Sequence, residues 1–397
     1  MSRNVLVLNC GSSSIKYQLV DVDSGAALAG GLVEKIGSLD GVVTHTEGGQ
    51  SVRIEGEIAD HAVGLTLMRQ AFGDAGPSLN DRGVTAVGHR VVHGGTRFTG
   101  PVRIDDDVIA GIEALSVLAP LHNPANLTGI ERAMANFPGL PHVAVFDTAF
   151  FHDLPLAAST YAIDHRLAAD HAVRRYGFHG TSHDYVSRQV AEVLGKPYTE
   201  VDQIVLHLGA GASVAAIRKG RPVEASMGMT PLEGLVMGTR SGDIDPGVIF
   251  HLHRVAGLSI DEIDSQLNRR SGVLGLSGVS DFRDLHRLIG TGDANATLAL
   301  DVWVHRVRKY IGAYYAVLGS VDAITFTAGV GENDARAREL VMADLAGLGI
   351  SVDPARNHSA SREARVISPD GSPVTVLVVP TNEELAIARA TAAVVGG

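Results

Sequence analysis

Three short stretches of small residues carry the first chemical signal in this chain of 397 residues. They are Asn9-Cys10-Gly11-Ser12-Ser13-Ser14, Gly209-Ala210-Gly211-Ala212-Ser213 and Gly329-Val330-Gly331-Glu332-Asn333, each after a β-like segment. With no side chains in the way, backbone N–H groups can approach an anion, and serine hydroxyls add donors. One such turn is ordinary hairpin punctuation. Three in a repeated arrangement point to phosphate. Two common alternatives fail on the residues themselves. The only Gly-Lys pair, Gly195-Lys196, is followed by Pro197, so there is no G-x-x-x-x-G-K-[ST] loop. No strand, G-x-G-x-x-G and helix unit carries an acidic residue at the distance a dinucleotide requires.

Strands must hold these turns. Val5–Leu8, the turn Gly11–Ser14 and Ile15–Asp21 read as strand, tight turn, strand. Ile204–Leu208, Gly209–Ser213 and Val214–Arg218 repeat the unit, and a further turn at Arg218–Pro222 leads into Val223–Ser226. Two more apolar runs end in chemistry-bearing segments: His142–Phe146 before Asp147-Thr148, and Ala323–Phe326 before Ala328-Gly329. β-Rich and helical stretches alternate, which predicts an α/β protein. The repeat predicts two related domains with the nucleotide in a cleft between hairpin-type phosphate turns. That arrangement resembles the actin-like, sugar-kinase-like ATPase superfamily.

Composition narrows the class. Hydrophobic content of 45% with 19% charged residues describes a globular protein. A net charge of −11 argues against nucleic acid or an anionic membrane as partner. The single cysteine, Cys10, rules out an intrachain disulfide framework and suits a reducing compartment. No charged-then-apolar leader is read at the start, and the longest stretch free of charge, Ala114 to Ile130, is broken by Pro120, Pro124, Asn123 and Asn126. The expected location is cytoplasmic, with no membrane partner.

Between the glycine turns lie dense polar strings. They are Gly88-His89-Arg90-Val91-Val92-His93-Gly94-Gly95, Leu121-His122-Asn123-Pro124-Ala125-Asn126 and Phe146-Asp147-Thr148-Ala149-Phe150. Tyr176-Gly177-Phe178-His179-Gly180-Thr181-Ser182-His183, Met237-Gly238-Thr239-Arg240-Ser241-Gly242-Asp243 and Pro380-Thr381-Asn382-Glu383-Glu384 follow. Their order and content, from Asn9 to Glu384, resemble the acetate kinase family closely. The resemblance implies two duplicated actin-like (ribonuclease H-like) ATPase domains around a central nucleotide cleft. The N-terminal domain, residues 1–150 with 384–397, would lie on the acyl side, and residues 151–383 on the nucleotide side.

Roles carry over residue by residue. The resemblance implies catalytic parts for Arg90, Asp147, His179 and Arg240, with Arg90 chiefly on the carboxylate and Arg240 on the phosphoryl oxygens. A guanidinium offers a rigid fork to either group. His122 would be a supporting donor, and Val92, Leu121, Phe178 and Pro231 the apolar pocket for the substrate methyl. Ser12, Ser14, Lys16, His207, Leu208, Gly209, Ala210 and Gly211 match the nucleotide phosphate region. Asp281, Phe282 and Arg283, with Gly329, Val330, Gly331, Glu332 and Asn333, match the rest of the nucleotide site. Asn9 and Glu383 match the metal side, for Mg2+ with Mn2+ as a substitute. Glu383 is preferred to Glu384 because Thr381-x-x-Glu384 reads as a helix capping box. Asp147 reads as a positioning or magnesium-linked group, with a helix N-cap as the plain alternative, since an ionised carboxylate acceptor needs no base. The pairs His179/His183 and His89/His93 lack the glutamate of H-E-x-x-H, and His183 reads as structural. Cys10, where the family often has alanine, reads as a small filler. Ala210 replaces a frequent asparagine and removes one side-chain contact to nucleotide.

The expected activity is reversible, Mg-dependent transfer of the ATP γ-phosphoryl group to acetate, giving ADP and acetyl phosphate by direct in-line attack, in a homodimer. A propionate or butyrate kinase of the same family is the near alternative. An actin- or chaperone-like ATPase is the distant one.

Overall fold

The structure, a computed structural model, describes residues 3–396. The chain divides into two compact units: residues up to His152 together with the segment from Asn382 onward, and Asp153–Thr381.

The first unit is built on a sheet of eight strands. They are β1 (Asn4–Cys10), β2 (Ser14–Asp21), β3 (Ala27–Glu34), β4 (Ser38–Glu47), β5 (Gln50–Ile58), β6 (Val84–Val91), β7 (Val102–Arg103) and β8 (His142–Phe146), in the order β5-β4-β3-β2-β1-β6-β8-β7. β1 and β2 form an antiparallel hairpin in which Cys10 faces Ile15, while β1, β6 and β8 run parallel. Val5 to Leu8 are almost fully buried, as expected of a strand covered on both faces. The helix His61–Ala75 covers β4 and β5, and Leu65, Met68 and Phe72 enter the core beside Leu6, Tyr17 and Val43. A second apolar cluster, with Phe98 stacked on Phe146, lies near the β8 end.

The second unit carries β9 (Asp202–Leu208), β10 (Ala212–Arg218), β11 (Arg221–Ala225), β12 (Ala323–Thr327), β13 (Arg365–Val366) and β14 (Thr375–Val378), ordered β11-β10-β9-β12-β14-β13. β9 to β11 are an antiparallel meander, and β9, β12 and β14 run parallel. The five-strand pattern β3-β2-β1-β6-β8 therefore recurs as β11-β10-β9-β12-β14. This is the duplication that the faint sequence repeat predicted, and the mixed α/β class holds. Between β10 and β11 the chain reverses through Lys219 and Gly220, both with positive φ, the geometry whose twist suits a two-residue hairpin.

Two local expectations change. Gly329–Asn333 is not an open turn: Ala328–Asn333 forms a short helix directly after β12. The Glu332 carboxylate accepts hydrogen bonds from Ala328 N–H (2.8 Å) and Thr381 N–H (3.1 Å), and so closes the segment on itself. The capping box at Thr381 and Glu384 does not form either. Asn382 caps the last helix (Glu383–Gly396) by accepting from Leu385 N–H at 3.0 Å, and Glu384 pairs with Lys16. Among the described residues no helix is long and apolar enough to cross a membrane.

Candidate active site

In the first unit the β1–β2 hairpin sets the turn. Gly11 N–H donates to Ser14 O (2.8 Å), which leaves Ser12 exposed and Ser14 half-buried at the tip. Cys10 sits below it, buried against Gly129, where an added Cβ would lie 2.4 Å from the Cys10 sulfur. Burial pushes the Cys10 thiol up to about 12, so it stays protonated and serves as filler.

Arg90, near the end of β6, and Asp147, just after β8, are brought together because those strands are parallel neighbours. Asp147 N–H continues the ladder to Val91 O at 2.9 Å. The pair is bidentate: Arg90 Nε donates to Asp147 Oδ1 (2.9 Å) and Nη2 to Oδ2 (2.6 Å). The Asp147 side chain is 3% exposed and that of Arg90 20%. Burial pulls the Arg90 pKa down, but the charges of Asp147, Glu383 and Glu384 together hold it above the ordinary arginine value. Two of five guanidinium N–H groups are spent on Asp147, and the outer edge is left for a ligand.

Two asparagines brace the following segment. Asn126 accepts from Val92 N–H (3.0 Å) and donates to Cys10 O (2.7 Å); Asn123 accepts from His93 N–H (3.1 Å) and donates back to His93 O (3.0 Å). These side chains tie the helix Asn123–Asn136 to the Arg90 strand and the hairpin. The sequence showed them only as members of a polar string. His122 stands at the N-cap of that helix, Val92 is half-buried and Leu121 is 40% exposed.

The first unit also offers oxygen donors of the kind a small divalent cation prefers. Asn9 is half-buried near the end of β1, and Glu383 begins the last helix. Among the described residues neither side chain makes a hydrogen bond or ion pair, whereas Glu384 is engaged by Lys16. Both are oxygen donors of the kind magnesium accepts, and among the described residues no cluster of three or more histidine, cysteine, aspartate or glutamate side chains stands ready to hold a metal ion.

In the second unit the β9–β10 turn mirrors the first, with Gly209 N–H donating to Gly211 O at 3.0 Å. Leu208 is 1% exposed, so it lies in the core beneath the turn and offers a ligand no open surface, against the expected nucleotide contact. Around the turn stand His179, His207 and Arg240. His179 is the N-cap of the helix Gly180–Leu194 and takes φ 57°, a left-handed conformation that costs a non-glycine residue strain. Its ring stacks on His207 (4.2 Å between centroids), and its Nδ1 lies 2.9 Å from Ser213 Oγ. Ser213 also meets His183, whose buried ring is held well below the usual histidine pKa by desolvation. Ser182 links His207 Nδ1 (2.7 Å) to Thr381 (2.8 Å). An added Cβ on Gly211 would lie 3.0 Å from Arg240 Nη2 and 3.4 Å from the His179 ring. Glycine lets backbone, guanidinium and imidazole adjoin. Arg240 Nη1 donates to Pro231 O (2.7 Å), which fixes the approach of its fork. Phe178 is 2% exposed and Pro231 half-buried.

A cavity of about 500 Å³ in the same unit brings three separated segments together: Gly209 and Ala210, Asp281 to Arg283, and Gly329, Val330 and Asn333. Asp281 caps the helix Phe282–Gly290 and pairs with Arg283, whose Nε and Nη2 donate to it at 3.0 and 2.7 Å. Phe282 is buried edge-on against Trp303. Gly331 and Glu332 lie in the short helix, away from the cavity lining. The cavity also contains a pair that the sequence did not reveal. His286 Nε2 lies 2.6 Å from Asp334 Oδ2, while His286 Nδ1 is buried without a partner. Only the i, i+4 spacing from Phe282 on one helical turn could have flagged His286.

Comparison with known proteins agrees with this layout. The model of the Acetokinase family matches residues 4–389. The acetate kinase of Leifsonia xyli subsp. xyli (strain CTCB07) is 60% identical over 385 residues, 97% of each chain. A crystal structure of Porphyromonas gingivalis acetate kinase superposes with a TM-score of 0.93 at 45% identity, over 99% of both chains. A propionate kinase from Francisella tularensis subsp. tularensis SCHU S4 superposes at 0.92 with 39% identity, covering 98% of this chain and 99% of that one. With its duplicated actin-like fold and a family match over nearly its whole length, the chain belongs to the acetokinase family of ATP-dependent kinases.

Proposed function

We propose that this kinase transfers the terminal phosphoryl group of ATP to acetate, reversibly and by direct in-line attack. The observation that carries the reading is the second unit's cavity, which gathers the Gly209, Asp281 and Gly329 segments, with Arg240 and His179 adjoining Gly211 in the same turn. Acetate as acceptor is favoured over propionate because the relative at 60% identity is an acetate kinase, whereas the propionate kinase is 39% identical.

Each step has a residue to perform it. ATP lies along the Gly209–Gly211 turn and the Asp281 and Gly329 segments, and its γ-phosphoryl oxygens meet Arg240 and the His179 imidazole. In the first unit Arg90, held by Asp147, takes the acid's carboxylate on its outer edge. Val92, Leu121, Phe178 and Pro231 are assigned to the methyl group, and His122 to a supporting hydrogen bond. Acetate is already ionised at neutral pH, so Asp147 positions Arg90 and abstracts no proton. Phosphoryl transfer needs charge neutralisation and alignment above all, which two guanidinium forks supply. Asn9 and Glu383 would hold magnesium, directly or through water, and the ion would neutralise phosphate charge. Ser12, Ser14, Lys16 and His207 complete the phosphate surroundings.

A homodimer is part of the proposal. No residue of the helix Gly247–Val255 is buried, and Val248, Phe250, Val255 and Ile260 are 40%, 55%, 71% and 60% exposed. Large apolar side chains left exposed in this number are what a subunit interface would cover. A cytoplasmic location is supported by the lone, buried thiol.

The test is turnover across short acids. Purified protein with Mg-ATP should form acyl phosphate from acetate. Propionate should be poorer by about 1–3 kcal/mol in transition-state free energy, the usual worth of one methylene. Arg240→Ala should lower kcat by about 10³-fold or more. ATP consumption indifferent to added acids, or an undiminished Arg240→Ala enzyme, would defeat the proposal.

A further inference from the structure

A second pocket in Asp153–Thr381 shares Asn333 with the nucleotide cavity, and the rest of its lining apart from Glu332 has no part in the reaction above. It encloses about 740 Å³, and its lining includes Arg338, Arg362, Arg365, His358, Ser359 and Ser361. In a chain of net charge −11, three arginines at one hollow are a local inversion of sign. The only carboxylate in the lining, Glu332, has Oε1 committed to the Ala328 and Thr381 N–H groups.

The cations are only partly compensated: the charges of Asp334 and Glu339 reach Arg338 and that of Glu332 reaches Arg365, while His358 pairs with Glu339 at 2.9 Å. Arg338 is 2% exposed, yet its hydrogen bonds go to neutral acceptors. Nε donates to Asn357 Oδ1 and Nη2 to Asn357 O, both at 2.7 Å. Nη1 donates to Gly331 O and Glu332 O, both at 2.9 Å. Burial, and then the charge of Arg365, push its pKa down to about 10 against the opposing pull of Asp334 and Glu339. Arg365 is half-buried; its Nη1 donates to Ser361 O (2.7 Å), while its buried Nε has no partner. Arg362 is exposed and makes no hydrogen bond or ion pair among the described residues. Like charges in a desolvated setting with an unsatisfied donor are stabilised by an anion between them.

We propose that this pocket binds a small, multiply charged oxyanion through Arg362 and Arg365, and that Arg338 transmits its occupancy to the helix Ala328–Asn333. Arg338 is the link because it holds the Gly331 and Glu332 carbonyls of that helix from the pocket floor. The transmitted effect rests on the nucleotide role proposed for Gly329 to Asn333. The binding itself does not.

Calorimetric titration of the full-length protein, with its nucleotide site saturated by Mg-ADP, reads the site directly. Inorganic phosphate and succinate form separate arms, to tell a phosphate-class from a dicarboxylate-class ligand. At least one should bind, and Arg362→Gln/Arg365→Gln should weaken it tenfold or more. The exposed single variant Arg362→Glu should do the same with an unchanged melting temperature. In wild type the bound anion should shift the Kd for ADP at least threefold, and the double variant should show no shift. No binding in either arm, binding unchanged in both variants, or an ADP affinity indifferent to a bound anion would overturn the proposal. Failure to bind ADP at all would instead strike the kinase reading.

Discussion

Asp147→Asn tests the proposed positioning role most directly. The substitution keeps the size of the side chain but replaces one acceptor oxygen with an NH2 group that faces Arg90. One of two charge-assisted bonds, at 2.9 and 2.6 Å, becomes a donor–donor contact, and the other loses its charge. Breaking a buried pair by removing one partner costs about 3–5 kcal/mol. The Arg90 side chain is 20% exposed and is still attracted by Glu383 and Glu384, so the lower end, about 3 kcal/mol, is the fitting figure. At about 1.4 kcal/mol per factor of ten, that is roughly a 10²-fold fall in kcat/KM for the acid. The KM for ATP should change far less, because the cavity lined by Gly209, Asp281 and Gly329 lies in the other unit. Steady-state kinetics with the acid varied at saturating ATP, then the reverse, separate the two. The acidic limb of the pH profile should keep its shape, since no proton passes through Asp147. An Asp147→Asn enzyme within threefold of wild type, or one that loses only that limb, would refute the reasoning.

Other outcomes follow from packing and burial. Gly272 has φ +62°, and an added Cβ would lie 2.2 Å from Met237 O and 2.7 Å from Arg240 O. Gly272→Ala should therefore cost about 1–3 kcal/mol of stability and lower kcat by moving Arg240; an unchanged melting temperature and kcat would contradict this. Acid should weaken the fold. Desolvation holds buried His89 and His183 well below the usual histidine pKa, so near pH 6 the unfolded chain binds protons that the folded chain refuses. Stability then rises with pH through that window and falls on acidification below about 6.5, by up to about 1.4 kcal/mol per pH unit for each group. A melting temperature that stays flat between pH 7.5 and 5.5 would count against it. Phe250→Glu should shift sedimentation from dimer to monomer, and a monomeric wild type would remove the premise.

Much of the fold was legible because its signals are local. The hairpins at Gly11 and Gly209 follow from small residues between apolar runs, and β8 spans the apolar stretch read at His142–Phe146. The order of the polar strings carried the family, since chemistry of that density tolerates little rearrangement. Glu332 shows where local reading stops. Its segment looked like a glycine turn, but a carboxylate that reaches Ala328 and Thr381, the latter 49 residues away, winds it into helix. Partnerships depended on strand register: Arg90 meets Asp147 because β6 and β8 are adjacent and parallel, and neither side chain predicts the other across 57 positions. His286 with Asp334 and the cluster at Arg338 and Arg365 were likewise invisible, since propensity governs neighbours in sequence while charge and burial act through space. The sequence determined which elements form and what chemistry they carry; the tertiary structure decided which charges are paired and which remain open to a ligand.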